Sequence, residues 1–229
     1  MRKHLLFVDV ETSGIPDSLK NPVSAQELWP YVLQVAWQVY DLRGNLIKTE
    51  DHYLFDEKIT IDKSSQEIHG LTLETLHSIG ERRKDVMRRF GKDLREYQPT
   101  LVGHFVELDS KMLQVAMARS GMKNIVKDFP HFCTMLATSE YAYMPDKNFP
   151  KLDELYQRLF SEKPEQLHNA LSDVKATAKC FFELARRGEV DPEKLEVSFF
   201  SKVKDKMSEK TGCGLPVLLI LLFFIWILL

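Results

Sequence analysis

The apolar run Leu5-Leu6-Phe7-Val8 leads straight into Asp9, Val10 and Glu11. A strand with every reason to be buried therefore carries two carboxylates on one face, because strand side chains two apart point the same way. Burying an unpaired carboxylate is costly, and a second beside it adds like-charge repulsion. A divalent cation takes carboxylate oxygens and removes that repulsion, so the pair reads as half of a metal site. The same spacing recurs at Asp191-Pro192-Glu193. There the preceding Gly188 and the proline indicate an exposed loop or a first helical turn, where acids are ordinary. Context, not spacing, separates the two.

Strand patterns occupy 4–10, 31–41 and 46–55, with Arg43, Gly44 and Asn45 as a turn, and suggest an antiparallel meander. Pro30 biases Trp29 away from helix and suits the start of the second strand. The polar, proline-containing loop 16–29 follows the acidic pair, where a substrate could enter. Helical patterns follow at 65–69, 72–79 and 81–97, then a strand at 100–105 and a helix at 108–120. A strand at 129–133 and helices at 134–142, 151–160 and 169–187 complete the pattern. Such a mixture indicates an α/β fold built on a mixed sheet.

Two more acids stand at helix starts, Asp109 after the strand TLVGHF and Asp173 in HNALSDVKATAKC. Each alone suits a helix N-terminus. With Asp9 and Glu11 they make four carboxylates, a set that suits two divalent ions acting on a phosphodiester. A hydrolytic site also needs a base, and His168, five residues before Asp173, has the appropriate chemistry. His104 stands in the same relation to Asp109 and is the alternative; His4, at a strand edge, reads as structural.

The stretches FVDVETSG, GHFVELD and HNALSDVKATA, in that order, resemble the DEDDh family of 3′→5′ exonucleases, which includes the proofreading subunit of bacterial DNA polymerase III. The resemblance covers about 1–187 and implies a ribonuclease H-like fold with a five-stranded mixed sheet flanked by helices. It implies that Asp9, Glu11, Asp109 and Asp173 bind two Mg²⁺ or Mn²⁺ ions, with Glu11 and His168 catalytic and His168 the general base. The substrate would be single-stranded or 3′-ended DNA or RNA, released as nucleoside 5′-monophosphates. Val10 and Thr12 fall where the terminal nucleotide would be gripped. QEIHGLT, at 66–72, is similar to the family segment that approaches that nucleotide, making His69 and Leu71 candidates for substrate contact. A helix cap at Gly70 with a buried Leu71 accounts for the same residues structurally. In the middle motif Phe105 stands where the family commonly has an Asn, and Leu108 where it commonly has an aromatic.

The net charge of −2 gives no global attraction to nucleic acid, so phosphate binding must be local. The basic helix at 81–97 keeps an apolar stripe of Val86, Met87, Phe90 and Leu94. It reads as a solvated amphipathic helix, with phosphate tracking as the other reading. Three scattered cysteines fit a reducing compartment. The N-terminal apolar run ends too soon for a signal peptide. Beyond an exonuclease domain (1–190) and a charged linker (191–211), the apolar segment 212–229 suits a single C-terminal membrane anchor. As a helix it would span about 27 Å, against about 30 Å of hydrocarbon, and the lysines before it would keep the catalytic domain in the cytoplasm. An apolar tail docked in a core or a partner is the alternative. Two other readings stand beside this one. A phosphodiesterase on small nucleotides would use the same residues. A catalytically silent nucleic-acid-binding module at the membrane would be marked by loss of a metal-binding acid or of the base, whereas all five are present.

Overall fold

The computed structural model describes residues 2–56, 58–141, 149–165 and 168–195. The N-terminal apolar run forms β1 (His4–Thr12), followed by β2 (Val32–Asp41) and β3 (Leu46–Phe55). β2 pairs antiparallel with both neighbours, as the meander reading expects. The turn between β2 and β3 closes on the Asp41 carboxylate, which accepts the N–H groups of Arg43 and Asn45, each at 2.9 Å. Gly44 takes φ +89° there, a region that side chains bearing a Cβ rarely enter.

The helices α1 (Lys63–His69) and α2 (Leu73–Ile79) lead to the two-residue β4 (Glu81–Arg82) and then to α3 (Arg83–Tyr97). β5 (Thr100–Gly103), α4 (Val106–Arg119) and β6 (His131–Cys133) follow. The order across the sheet is β4-β3-β2-β1-β5-β6, with β5 parallel to β1, β6 parallel to β5, and β4 parallel to β3. Six strands therefore stand where five were expected. The extra one arises because Glu81 and Arg82 pair with Leu54 and Phe55 before the helix begins, rather than opening it.

After β6 come α5 (Thr134–Ala137), α6 (Leu152–Phe160) and α7 (Ala170–Arg186). The continuous helix expected at 134–142 stops at Ala137 and gives way to a 3₁₀ turn at Ser139–Tyr141. Another 3₁₀ turn, Pro192–Lys194, occupies the start of the charged linker, where Asp191 is exposed and accepts the Glu193 N–H at 3.0 Å. That is the solvated acid pair expected of this second triplet. The rest of the linker from 196, and the segment 212–229, lie outside the described residues. Among the described residues no helix is long and apolar enough to cross a membrane.

Alternation along β1 divides the core. Leu6, Val8 and Val10 pack with Val35, Trp37 and Val39 against Met87, Phe90 and Leu94 of α3 and Met112, Leu113 and Met117 of α4. Leu5 and Phe7 face the other way, with Ala36, Val102 and Phe132, onto Ala170, Val174, Ala178 and Phe181 of α7. Asp9 and Glu11 continue this second row and so point toward α7. The acidic pair sits at the carboxyl end of β1, between an antiparallel and a parallel neighbour, the kind of switch point at which open α/β sheets bind ligands.

Candidate active site

Asp9, Glu11 and Asp173 meet at the end of β1. Each offers a carboxylate oxygen, and the three oxygens lie within 4.8 Å of one another. The strand period places the first two on one face; α7, packed over that face by Val174 and Phe181, presents the third. Burial raises the Asp9 carboxyl well above its ordinary range, and the charges of Asp109, Asp173 and Glu11 push it further. Burial, with Asp173 behind it, lifts Glu11 to about 8. Asp173 reaches about 7, again chiefly through burial, although the His168 N–H opposes the rise by donating to Oδ2 at 3.2 Å. Its other oxygen, Oδ1, is buried and has no hydrogen-bond partner among the described residues. An orphaned carboxylate oxygen beside two more carboxylates fits a hard divalent cation, which takes oxygen ligands and relieves the repulsion.

Asp109 stands slightly apart. It is 4% exposed, in the first turn of α4, and its Oδ1 accepts the Val10 N–H at 3.2 Å. It belongs to the same electrostatic group, since its charge acts on Asp9 and the charges of Glu11 and Asp173 act on it after the dominant effect of burial. The structure thus brings three of the four expected carboxylates together and ties the fourth to the strand between the first two. Gly103 permits this closeness: a Cβ there would lie 3.0 Å from Val106 Cβ and 3.2 Å from Asp109 Oδ2.

His168 lies just before α7 with φ +66°, and its residue is exposed. Partial desolvation holds its imidazole below the ordinary value, with Asp153 of α6 acting the opposite way. His104 is differently placed. Its ring nitrogens meet Thr134 Oγ1 and the Pro150 carbonyl, each at 3.0 Å, and burial lowers it to about 4. Both nitrogens are engaged within the fold, which makes His104 a latch between β5 and the approach to α6 and leaves His168 as the exposed imidazole of the two.

The remaining candidates are held by backbone. The Leu71 N–H donates to His69 Nδ1 at 3.0 Å, so the proton is on Nε2, which donates to the Thr12 carbonyl at 3.2 Å. Leu71 is 8% exposed and packs with Leu33, Ile59 and Leu76, while Gly70 caps α1 at φ +71°. The structural account of QEIHGLT is therefore realised: the Leu71 side chain is core, His69 Nδ1 closes on the Leu71 N–H, and His69 Nε2 braces the segment after Glu11. Val10 is also core, with its N–H given to Asp109. Thr12 Oγ1 donates to the Gly14 carbonyl at 2.7 Å. The Ser13 N–H donates to the Tyr31 carbonyl at 2.8 Å, its hydroxyl accepts the Tyr31 N–H at 2.9 Å, and its carbonyl accepts the Asp62 N–H at 2.8 Å. The loop beside the carboxylates is stapled, with Ile15 exposed just beyond it.

Sequence reading overlooked Gln34. It is the register partner of Glu11, only 1% exposed, and hydrogen-bonds to the start of α7. Its one signal was a polar residue inside the apolar run VLQVAW. Asp153, whose charge reaches both His168 and Asp173, carried no spacing signal at all. In the basic segment 81–97 four of the arginines are paired with acids. Arg83 pairs with Asp56, Arg82 and Arg88 pair with Asp85, and Arg89 pairs with Glu81.

The fold recurs in solved structures of E. coli exonuclease I. The zinc-bound complex with single-stranded DNA superposes with a TM-score of 0.66 at 19% identity, covering 81% of this chain and 41% of that one. The complex with a 5cy-dT13 oligonucleotide gives 0.64 at 17% identity, covering 82% and 41%. The complex with a dA16 oligonucleotide gives 0.65 at 17% identity, covering 81% and 41%. The chain thus spans about two fifths of the length of these proteins, and the likeness is one of fold. No curated protein matches the chain in sequence. The sequence model of the family described as Exonuclease, however, matches residues 7–181. That match runs from Phe7 in the middle of β1 to Phe181 on α7 and encloses every carboxylate of the site, so the chain belongs to the exonuclease family, of the DEDD type and ribonuclease H-like fold.

Proposed function

We propose that the chain is a metal-dependent 3′→5′ exonuclease that removes nucleoside 5′-monophosphates one at a time from DNA or RNA. The observation that carries this reading is the convergence of Asp9, Glu11 and Asp173 with an unpartnered, buried Asp173 Oδ1. Those three residues, with Asp109 beside them, would hold two Mg²⁺ or Mn²⁺ ions. Such ions, when bound, stabilise charge on the scissile phosphate and on the attacking and leaving oxygens.

The chain's own residues do the rest. His168, accessible and held toward its neutral form, takes the proton of the attacking water on a ring nitrogen. Its N–H bond to Asp173 keeps the base in step with a metal-binding carboxylate. The segment Thr12–Ile15, stapled to His69, Tyr31 and Asp62, offers backbone groups and the exposed Ile15 side chain to the terminal nucleotide. A ring face of His69, rather than its nitrogens, is the part left to meet substrate. Single-stranded nucleic acid is the substrate form we favour, on the likeness of fold to exonuclease I, which has been solved with single-stranded oligonucleotides. We also propose that the apolar segment 212–229 anchors the protein to a membrane with the catalytic domain in the cytoplasm. Quantitative recovery in the soluble fraction without detergent would overturn the anchor.

The test of polarity uses the full chain with single-stranded DNA and RNA labelled at the 5′ end. A ladder that shortens from the 3′ end, and stops when that end carries a phosphate block, is the expected result. Immediate release of labelled mononucleotide would mean the opposite polarity. Intact polymers beside cleaved dinucleotides would shift the function to small nucleotides.

A further inference from the structure

Gln34 is a polar side chain buried almost completely between β2 and α7, and its contacts have a single direction. Nε2 donates to Asp51 Oδ1 at 2.8 Å. Oε1 accepts the Ala170 N–H at 3.3 Å and the Asn169 Nδ2–H at 3.4 Å. The Asn169 Oδ1 in turn accepts the Ser172 N–H at 3.4 Å, and its amide also reaches the Tyr53 hydroxyl at 3.4 Å. An ionised carboxylate only accepts and a backbone N–H only donates, so the two ends of this relay fix the orientation of both amides. Of the N–H groups that a helix start leaves without intrahelical partners, that of Ala170 is thereby satisfied from the sheet and that of Ser172 by the N-cap side chain that Gln34 holds.

The segment held in this way carries the chemistry. His168 precedes Asn169 directly, and the Asp173 N–H closes the first turn of α7 on the Asn169 carbonyl at 3.0 Å. Gln34 is also the cross-strand partner of Glu11, so one side chain references α7 to the strand bearing the other acids. His168 itself sits at φ +66°, a conformation that a non-glycine residue keeps only when its surroundings impose it.

We propose that Gln34 is a positioning residue for the reaction. Through Asn169 and Ala170 it sets where His168 and Asp173 stand relative to Asp9 and Glu11. This rests on the exonuclease reading for its catalytic consequence, but not for its structural one. Groups that orient metal ligands typically matter by about 10–100-fold in activity or metal affinity.

The test compares the full chain with Gln34→Leu, Gln34→Glu, and Gln34→Glu combined with Asp51→Asn. Three quantities are read: Mn²⁺ affinity without substrate, kcat and KM on an oligonucleotide, and amide exchange at Ala170, Ser172 and Asp173. Gln34→Leu is expected to lower kcat about 10–100-fold with KM near wild type, to weaken Mn²⁺ binding, and to speed exchange at those amides. Gln34→Glu alone sets a second carboxylate against Asp51. Adding Asp51→Asn restores a donor opposite an acceptor and returns all three readouts toward wild type. Wild-type kcat, Mn²⁺ affinity and exchange in Gln34→Leu would overturn the proposal. So would a double variant that regains thermal stability while Mn²⁺ affinity and exchange stay impaired. If the wild-type chain cleaves nothing, the exonuclease reading fails while exchange at α7 still decides whether Gln34 positions it.

Discussion

Asp173 shows how a single carboxylate trades stability for a metal site. Its folded-state carboxyl, at about 7, is raised far above the ordinary Asp value because burial and neighbouring charge penalise ionisation. Between about pH 4 and pH 7 the folded state therefore binds more protons than the unfolded one, and this contribution to stability falls as pH rises. Asp173→Asn keeps an oxygen for the His168 N–H and removes the charge. In EDTA it should melt above the wild type at pH 8, with the gap closing toward pH 4; about 2–4 °C corresponds to each kcal/mol in a chain of this size. A gap that is absent at pH 8 would mean that burial and the Asp153 charge do not penalise the ionised carboxylate. With Mg²⁺ or Mn²⁺ the order should reverse, since the variant loses a ligand. His168→Ala should leave melting in EDTA unaltered while lowering turnover about 10²–10⁴-fold, the usual worth of a general base. Turnover near wild type would reassign the base. At this scale Asp9 and Glu11 were legible because two acids ending an apolar strand have no cheaper explanation. Gln34 showed only as a polar residue in an apolar run, and its hydrogen-bond partners, 17 and 136 positions away, could not be read from local spacing. Phe105 lies between these cases: it takes φ +75° where the family commonly has an Asn, a residue more at ease in that region.

Among the elements, α7 joins core and site. Phe181 is fully buried and meets Phe7 edge-on at 5.4 Å and Phe132 at 5.5 Å, about two helical turns along α7 from Asp173. Phe181→Ala should cost about 3–5 kcal/mol of stability. Denaturant melts would show this, and a loss below about 1 kcal/mol would mean the aromatic cluster readily repacks. The long apolar strands and the amphipathic α3, α4 and α7 were readable because their periodicity is intrinsic to the chain. The errors fall where pairing with a distant segment decides. Glu81 and Arg82 become a strand only because Leu54 and Phe55 offer an edge. The stop of α5 at Ala137 also went unread; there the Thr138 hydroxyl bonds back to the Thr134 carbonyl at 2.8 Å, a local contact that competes with continuing the helix.

For the whole molecule, a net charge of −2 gives no global attraction to a polyanion, and Arg82, Arg83, Arg88 and Arg89 of the basic segment are paired with acids. Reversing Lys84 and Arg88 together should therefore leave the salt dependence of oligonucleotide binding unchanged. A slope reduced by about one or two would instead identify α3 as a phosphate track. The fold class and the order of the site residues were legible at this scale because the motifs are ordered along the chain. The separation of Asp109 from the other three acids was not, because it depends on how α4 leaves Gly103. On the proposed function, local positive charge would be supplied by cations at Asp9, Glu11 and Asp173. The most direct measurement is Mn²⁺ titration of the EDTA-stripped full chain and of Asp9→Asn, with cleavage of a single-stranded oligonucleotide followed in the same samples. Saturable Mn²⁺ binding that rises together with cleavage in the wild type, with both lost in Asp9→Asn, is the expected result. Cleavage that persists in EDTA, or a wild type that binds no Mn²⁺ at neutral pH, would contradict a metal-dependent nuclease at this site.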